Sequence, residues 1–285
     1  MDAFNFNKYN SGGAQPSLNR NFIYPILILI PPLLEQKAIA DQLSTWDTAI
    51  EKTERLIAAK EKRFKWLLNE LISKGKKSST WRRVKLGEVL TESRLSGTNG
   101  LEAKKLTVKL YGKGILSKKE KRIGSNNTKY YKRKAGQLVY SKLDFLNGAF
   151  GIVPDELDGY ETTLDLPAFD ISPNISREWL LYFFIRPTYY TRQIGLAKGQ
   201  RKARRISPTE LLNSKIVLPS LNEQKQIVET LNMAQSEINL LKQVANNYKK
   251  QKRGLMQKLL NGVWRIDPIV VDRYSMDNEK TGGME

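Results

Sequence analysis

The sequence predicts an α+β protein: one mixed α/β domain flanked by two long helices that form an antiparallel coiled coil. Three observations carry this. One stretch occurs twice, as IPPLLEQKAIADQLSTWDTAI over Ile30–Ile50 and as LPSLNEQKQIVETLNMAQSEI over Leu218–Ile238. Each copy runs into a row of apolar residues whose spacing alternates three and four, which is the seam of a coiled coil. Between the copies lie short alternating runs bounded by glycine, which read as strands.

A single offset of 188 superposes Pro31 on Pro219, Glu35-Gln36-Lys37 on Glu223-Gln224-Lys225, Leu43 on Leu231 and Ile50 on Ile238. That period is too long for a solenoid of small units. It indicates one long helix, with one entry turn, used twice around an intervening domain.

In chain order, residues 1–21 are polar, rich in Asn, Gly and Ser, and without period, the composition of a tail. The repeat aligns Ile26–Leu29 with Ser214–Val217. Residues 1–30 therefore read as the remnant of a first domain, its closing strand. The apolar run Phe22–Leu34 holds three prolines and is far too short to span a membrane; it reads as a buried strand and turn.

The first helix occupies 31–76. Pro31-Pro32 sets its entry, and its seam runs Leu43, Trp46, Ile50, Thr53, Ile57, Lys60, Phe64, Leu67, Leu71. It stops near Lys74-Gly75-Lys76-Lys77, glycine and cations being favoured at a helix C-terminus. The second helix, 218–262, has the seam Leu231, Ala234, Ile238, Leu241, Ala245, Tyr248, Lys252, Leu255, Leu259. Roughly 40 residues at a 1.5 Å rise give a rod of about 60 Å. The plainer alternative is two surface helices of one globular core. The mixed domain spans 77–217, with strands in Gly136–Tyr140, Gly148–Val153 and Ala168–Ile171. Its helix runs from Arg177 to Ile194, with Ser176 as N-cap. Residues 263–285 are a C-terminal tail.

Composition narrows the function. Among 285 residues there are 48 Lys and Arg against 29 Asp and Glu, a net charge of +19, with no cysteine and no histidine. Disulfide and thiolate chemistry are excluded, as is the commonest general base and metal ligand. The surplus points to a polyanion, nucleic acid before a membrane surface. The apolar run Phe22–Leu34, too short for a membrane span and with no small-residue cleavage site behind it, predicts a cytoplasmic location. The run Lys104–Lys134 contains Lys105, Lys118, Lys119, Lys121, Arg122, Lys132, Arg133 and Lys134, interleaved with Tyr111, Tyr130 and Tyr131. It reads as a phosphate track. Lys198, Gln200, Arg201, Lys202, Arg204 and Arg205 read as a reader loop, because arginine and glutamine can pair bidentately with base edges. The bland reading of both clusters is solvated surface.

The order of these features resembles the specificity subunit of type I restriction–modification systems. The resemblance rests on the twice-used Pro-Leu-x-Glu-Gln-Lys helix entry and on Trp81-Arg82-Arg83-Val84-Lys85-Leu86-Gly87-Glu88-Val89. It rests further on Ala135–Lys142 followed by Gly148–Pro154, and on Trp179–Phe184 followed by the basic loop and Ile206-Ser207-Pro208. It implies a non-catalytic subunit with one complete target-recognition domain, reading half of a bipartite site on double-stranded DNA. Lys142 then joins the DNA-binding set. The implied partners are methyltransferase subunits, a motor-nuclease restriction subunit, and a second copy or another half-subunit. S-adenosylmethionine, ATP and Mg would reside in those partners and no cofactor in this chain. Two other readings stay open. One is a basic coiled-coil adaptor that binds nucleic acid without sequence preference. The other is a small nuclease using Asp155, Glu156 and Asp158.

Overall fold

The structure is a computed structural model. It describes residues 20–25, 30–73, 80–119, 124–199 and 204–281, without the side chains of 22, 23 and 275–281. The expected strand Ile26–Leu29, the helix stop at Lys74–Lys77, and residues 1–19 lie outside the described residues. Two compact units are formed: residues 1–61 with 237–285, and residues 62–236.

The first unit is built on helix pairing. A short helix, α1, covers Arg20–Ile23, and α2 covers Leu33–Ser73. Here the reading of Phe22–Leu34 as a buried strand and turn is corrected: its start is helical, and Tyr24 and Ile30 are 73% and 71% exposed. The repeat accounts for α1, since the same offset places Arg20–Ile23 on the first turn of α5, Pro208–Asn213. The other long helix, α6, runs Leu221–Leu260. Within this unit the two helices meet in descending register: Asp47 with Lys252, Glu54 with Lys249, Glu61 with Lys242 and Lys60 with Glu237. A rising number on one helix matches a falling number on the other, so they are antiparallel. Trp46 meets Tyr248 edge to face at 5.8 Å, and Ile238 and Ala245 are buried. The tail after α6 is not featureless: α7 covers Pro268–Thr281.

Among its described residues the second unit has eleven strands in four antiparallel sheets. The largest has the order β2 (Leu90–Ser93), β10 (Ala168–Ile171), β7 (Leu138–Tyr140), β8 (Phe150–Ile152). All three residues of β7 are buried because each face meets a separate apolar cluster. Leu138 and Tyr140 join Phe145, Phe150 and Phe169, whereas Val139 joins Leu106, Val153 and Leu157. Such a strand must read as a continuous apolar run. Gly148, at φ 68°, closes the short 3-10 turn Phe145–Asn147 before β8, a left-handed position suited to glycine. Strands β1 (Arg82–Lys85) and β11 (Lys215–Leu218) pair with Arg82 opposite Leu218, tying the start of the domain to its end.

Helix α3, Arg177–Phe184, is capped by the Ser176 hydroxyl, which accepts from Trp179 N. It buries Trp179, Leu180, Phe183 and Phe184. The expected single helix to Ile194 is interrupted. Arg186 adopts an extended conformation, and Pro187 begins α4, Pro187–Tyr190. Proline has no N–H to continue the ladder and pushes the preceding residue out of the helical region. The core also takes Leu68, Ile72, Ile227 and Leu231 from the long helices. The compact unit thus extends beyond 77–217 on both sides.

Candidate nucleic-acid interface

The helix entries show what the repeated Glu-Gln pair does. Gln36 Nε2 donates to Pro31 O at 2.8 Å, and Gln224 Nε2 donates to Pro219 O at 3.0 Å. Each binds the carbonyl of the first proline in its own turn. The glutamates diverge. Ser220 and Glu223 form a reciprocal cap, with Ser220 N to Glu223 Oε2 at 3.0 Å and Glu223 N to Ser220 Oγ at 3.3 Å. In the first copy Ser220 is replaced by Pro32, which has neither hydroxyl nor N–H. Glu35 accepts instead from Arg265, whose Nε lies 2.6 Å from Oε1 and whose Nη2 contacts Oε2. That guanidinium holds the Glu35 carboxyl below its ordinary value.

Lys198 and Arg205 form an antiparallel bridge, Lys198 N to Arg205 O at 2.9 Å and Arg205 N to Lys198 O at 2.8 Å. Next to it Ile206 is fully buried, its carbonyl taking the Tyr140 hydroxyl at 2.9 Å. The bridge is thereby anchored to the core. Lys142 is bound in from both sides, its N donating to Asp165 O at 3.0 Å and its O accepting Ile206 N at 3.1 Å. So Lys142, Lys198, Arg204 and Arg205 come together, with Arg204 and Arg205 exposed and Lys142 half-buried. Gln200, Arg201 and Lys202 lie outside the described residues, as do Lys121 and Arg122.

Two carboxylates that sequence reasoning missed complete this cluster. Asp165 pairs with Arg205 at 2.5 Å, and Glu210 with Lys198 at 2.7 Å. The Lys198 ammonium holds Glu210 below its ordinary value, and the Lys198 pKa rises correspondingly. Exposed pairs of this kind are worth about 0–1 kcal/mol, so a phosphate or a base edge can displace them.

The other cations stand on separate sheets. Exposed Lys118 and Lys119 follow β5 (Ile115–Ser117), paired with β4 (Leu106–Val108). Exposed Lys132 and Lys134 lie at and just beyond the end of β6 (Lys129–Lys132), between β3 (Ser96–Asn99) and β9 (Glu161–Thr162). Arg133 is corrected. It is 1% exposed, and its guanidinium donates to Thr162 Oγ1 at 2.6 Å, Ser93 O at 2.9 Å and Leu166 O at 3.4 Å. Burial lowers its pKa to about 10, so the side chain is a strut inside the domain. Lys105 is likewise buried, its Nζ donating to Gly100 O at 2.6 Å. Each lies one residue outside a strand, Arg133 after β6 and Lys105 before β4, where its charged head finds oxygen acceptors inside the domain.

The seam residues Leu43, Trp46, Ile50, Ile57, Phe64, Leu67 and Leu71 are half-buried; so are Leu241, Tyr248 and Leu255, while Leu231, Ile238 and Leu259 are buried. Asp155, Glu156 and Asp158 are exposed, and Asp158 Oδ1 is spent on Ala135 N at 2.7 Å. Among the described residues no group of three carboxylates could hold a metal ion, and no helix is long and apolar enough to cross a membrane.

Comparison with known proteins agrees with this geometry. The family model described as the type I restriction modification DNA specificity domain matches residues 3–61. The MjaVIII specificity subunit of Methanocaldococcus jannaschii is 26% identical over 90% of this chain and 66% of its own length. The putative MjaX specificity subunit of the same organism is 23% identical over 88% and 62%. The chain spans somewhat less than two thirds of these relatives. The crystal structure of the HsdS subunit from Thermoanaerobacter tengcongensis shares the fold, with a TM-score of 0.53, 21% identity, and coverage of 90% of this chain and 67% of that one. Over about nine-tenths of its length, this chain is similar to type I restriction specificity subunits.

Proposed function

We propose that this chain is the DNA sequence-recognition subunit of a type I restriction–modification complex. It reads one half of a bipartite site with the cations at the Lys198–Arg205 bridge and holds methyltransferase and restriction subunits on its paired helices. It performs no chemistry itself. The observation that carries this reading is the Lys198–Arg205 bridge: two backbone bonds, buried Ile206 next to it, and exposed Arg204 and Arg205. Arginines on a backbone so anchored meet a groove at little further ordering cost. Lys118, Lys119, Lys132 and Lys134 serve the phosphates, which position the protein without carrying sequence information.

A second recognition domain supplies the other half-site, and Gln36 marks where it docks. In the complete domain, Gln224 Oε1 accepts the backbone N–H of Ser176, the cap of α3, at 2.8 Å. Gln36 holds its own proline carbonyl in the same way but is exposed, whereas Gln224 is 1% exposed. A second copy would have to release its own Ser176 from Gln224 to fill this place, so a separate recognition domain is the better occupant. Mapping methylated adenines in cells with and without this gene tests the whole reading. A bipartite motif that depends on the gene is expected; no dependent motif, with binding indifferent to sequence, would return the chain to a non-specific adaptor.

A further inference from the structure

A cleft of about 470 Å3 opens in the second unit between the end of α2, the α3–α4 turn and β11. Its wall carries Arg186, Arg192 and Lys215 against one carboxylate, Glu70. Arg186 is 7% exposed. Its Nε donates to Phe183 O at 3.3 Å, its Nη1 to Ser73 Oγ at 3.1 Å, and its guanidinium lies 4.7 Å from the Phe183 ring centre. Among the described residues it has no carboxylate partner, and Nη2 has no hydrogen bond. Arg133, equally deep in the same unit, has all three guanidinium nitrogens engaged. Desolvation lowers the Arg186 pKa to about 10, with Arg192 adding like-charge repulsion. A buried cation lacking its counter-charge is costly unless something supplies one. The aromatic face and the partly negative C-terminal end of α2 supply part of it. Arg192 and Lys215 add further positive charge instead.

We propose that this cleft binds a small phosphate-bearing molecule, whose oxygens meet the outward edge of the Arg186 guanidinium while Arg192 and Lys215 balance the remaining charge. Three cations against one carboxylate match the charge of about −1.5 to −2 that a phosphate monoester carries near neutrality. The planar guanidinium suits phosphate oxygens. The volume exceeds that of phosphate alone and leaves room for an organic substituent. The inference does not depend on the DNA-recognition reading.

Inorganic phosphate is the probe. The full chain is titrated calorimetrically with sodium phosphate, against sodium chloride at matched ionic strength and pH. A saturable phosphate signal absent with chloride is expected. It should weaken at least tenfold in the Arg192→Ala/Lys215→Ala double variant, which alters only exposed side chains, and in Arg186→Lys, which keeps the charge but not the fork. No difference between phosphate and chloride, or full binding by the double variant, would overturn the proposal. The titration is repeated with the chain saturated by random duplex DNA. Retention of the phosphate signal supports a free small anion; its loss would assign the cleft to the DNA backbone instead.

Discussion

Trp46 and Tyr248 meet edge to face, 5.8 Å between ring centroids, where the two long helices run antiparallel. Aromatic pairs in this geometry add about 0.5–1.5 kcal/mol beyond the area they bury. Trp46→Ala is expected to lower stability by about 2 kcal/mol, below the range for a fully buried tryptophan because the side chain is half-buried. Trp66, 60% exposed on the same helix, is the control, and Trp66→Ala should change the melting temperature little. Equal effects of the two substitutions would count against a packed seam.

Orientation of the pair is written in charge. Glu54 and Glu61 on α2 meet Lys249 and Lys242 on α6. Each exposed pair is worth about 0–1 kcal/mol, so the effect should be small singly and visible in combination. Glu54→Lys with Glu61→Lys should lower the melting temperature, and adding Lys242→Glu with Lys249→Glu should restore most of it. Failure of the fourfold variant to recover would show that these contacts do not register the helices.

Arg133 and Lys134 are neighbours with opposite fates. Arg133→Ala removes a buried guanidinium that donates to Thr162 Oγ1 and Ser93 O, while Leu166 O keeps the Thr162 hydroxyl, at a cost of about 3 kcal/mol. Lys134→Ala should leave the melting temperature unchanged, weaken binding to every duplex, and reduce the salt slope by about one. The two measurements, unfolding and salt-dependent binding, should therefore separate these residues cleanly. A stable Arg133→Ala protein with weakened DNA binding would reverse the assignment.

Under the proposed function, Arg205 leaves its ion pair with Asp165 to reach a base. Arg205→Ala should cost about 1–3 kcal/mol on the preferred duplex and less on a duplex altered at one base pair. Competition binding against single-base variants reads this directly. An equal loss on all duplexes would make Arg205 a phosphate contact.

Acid should loosen the fold before alkali does. Glu35 is held below the ordinary carboxylate value of 4.5 by Arg265, Glu210 by Lys198, and Glu223 by the Ser220 hydroxyl. A carboxylate depressed in the folded state contributes above its unfolded pKa, and the contribution is lost as pH falls through the folded value. Melting temperature should therefore drop below about pH 4.5. With no histidine, it should stay level from about pH 5 to 8. Glu35→Gln should make the acid limb shallower. A marked slope near neutrality would contradict this account.

The seam and the repeat were legible because helical spacing and burial share one period. The strands Ala168–Ile171 and Leu138–Tyr140 were legible because they are apolar and bounded by turn residues. The Arg177–Ile194 helix was overextended: Pro187 announced the break, but the apolar pattern around Tyr189 and Tyr190 concealed it. The burial of Arg133 had no sequence signal, because its acceptors Thr162, Ser93 and Leu166 are brought to it only by folding. The carboxylates Asp165 and Glu210 had no sequence signal, since each meets its partner only through folding. The roles of Gln36 and Gln224 were within reach, for the repeat preserves both together with the proline five residues before.

The Lys198–Arg205 bridge is made by main-chain atoms alone, and main-chain bonds make no demand on the side chains they join. The Arg205 side chain can therefore be exchanged while the bridge and buried Ile206 stay in place. Under the proposed function, a change of preferred base at this position needs no matching change in the core, so recognition and foldability are separable there.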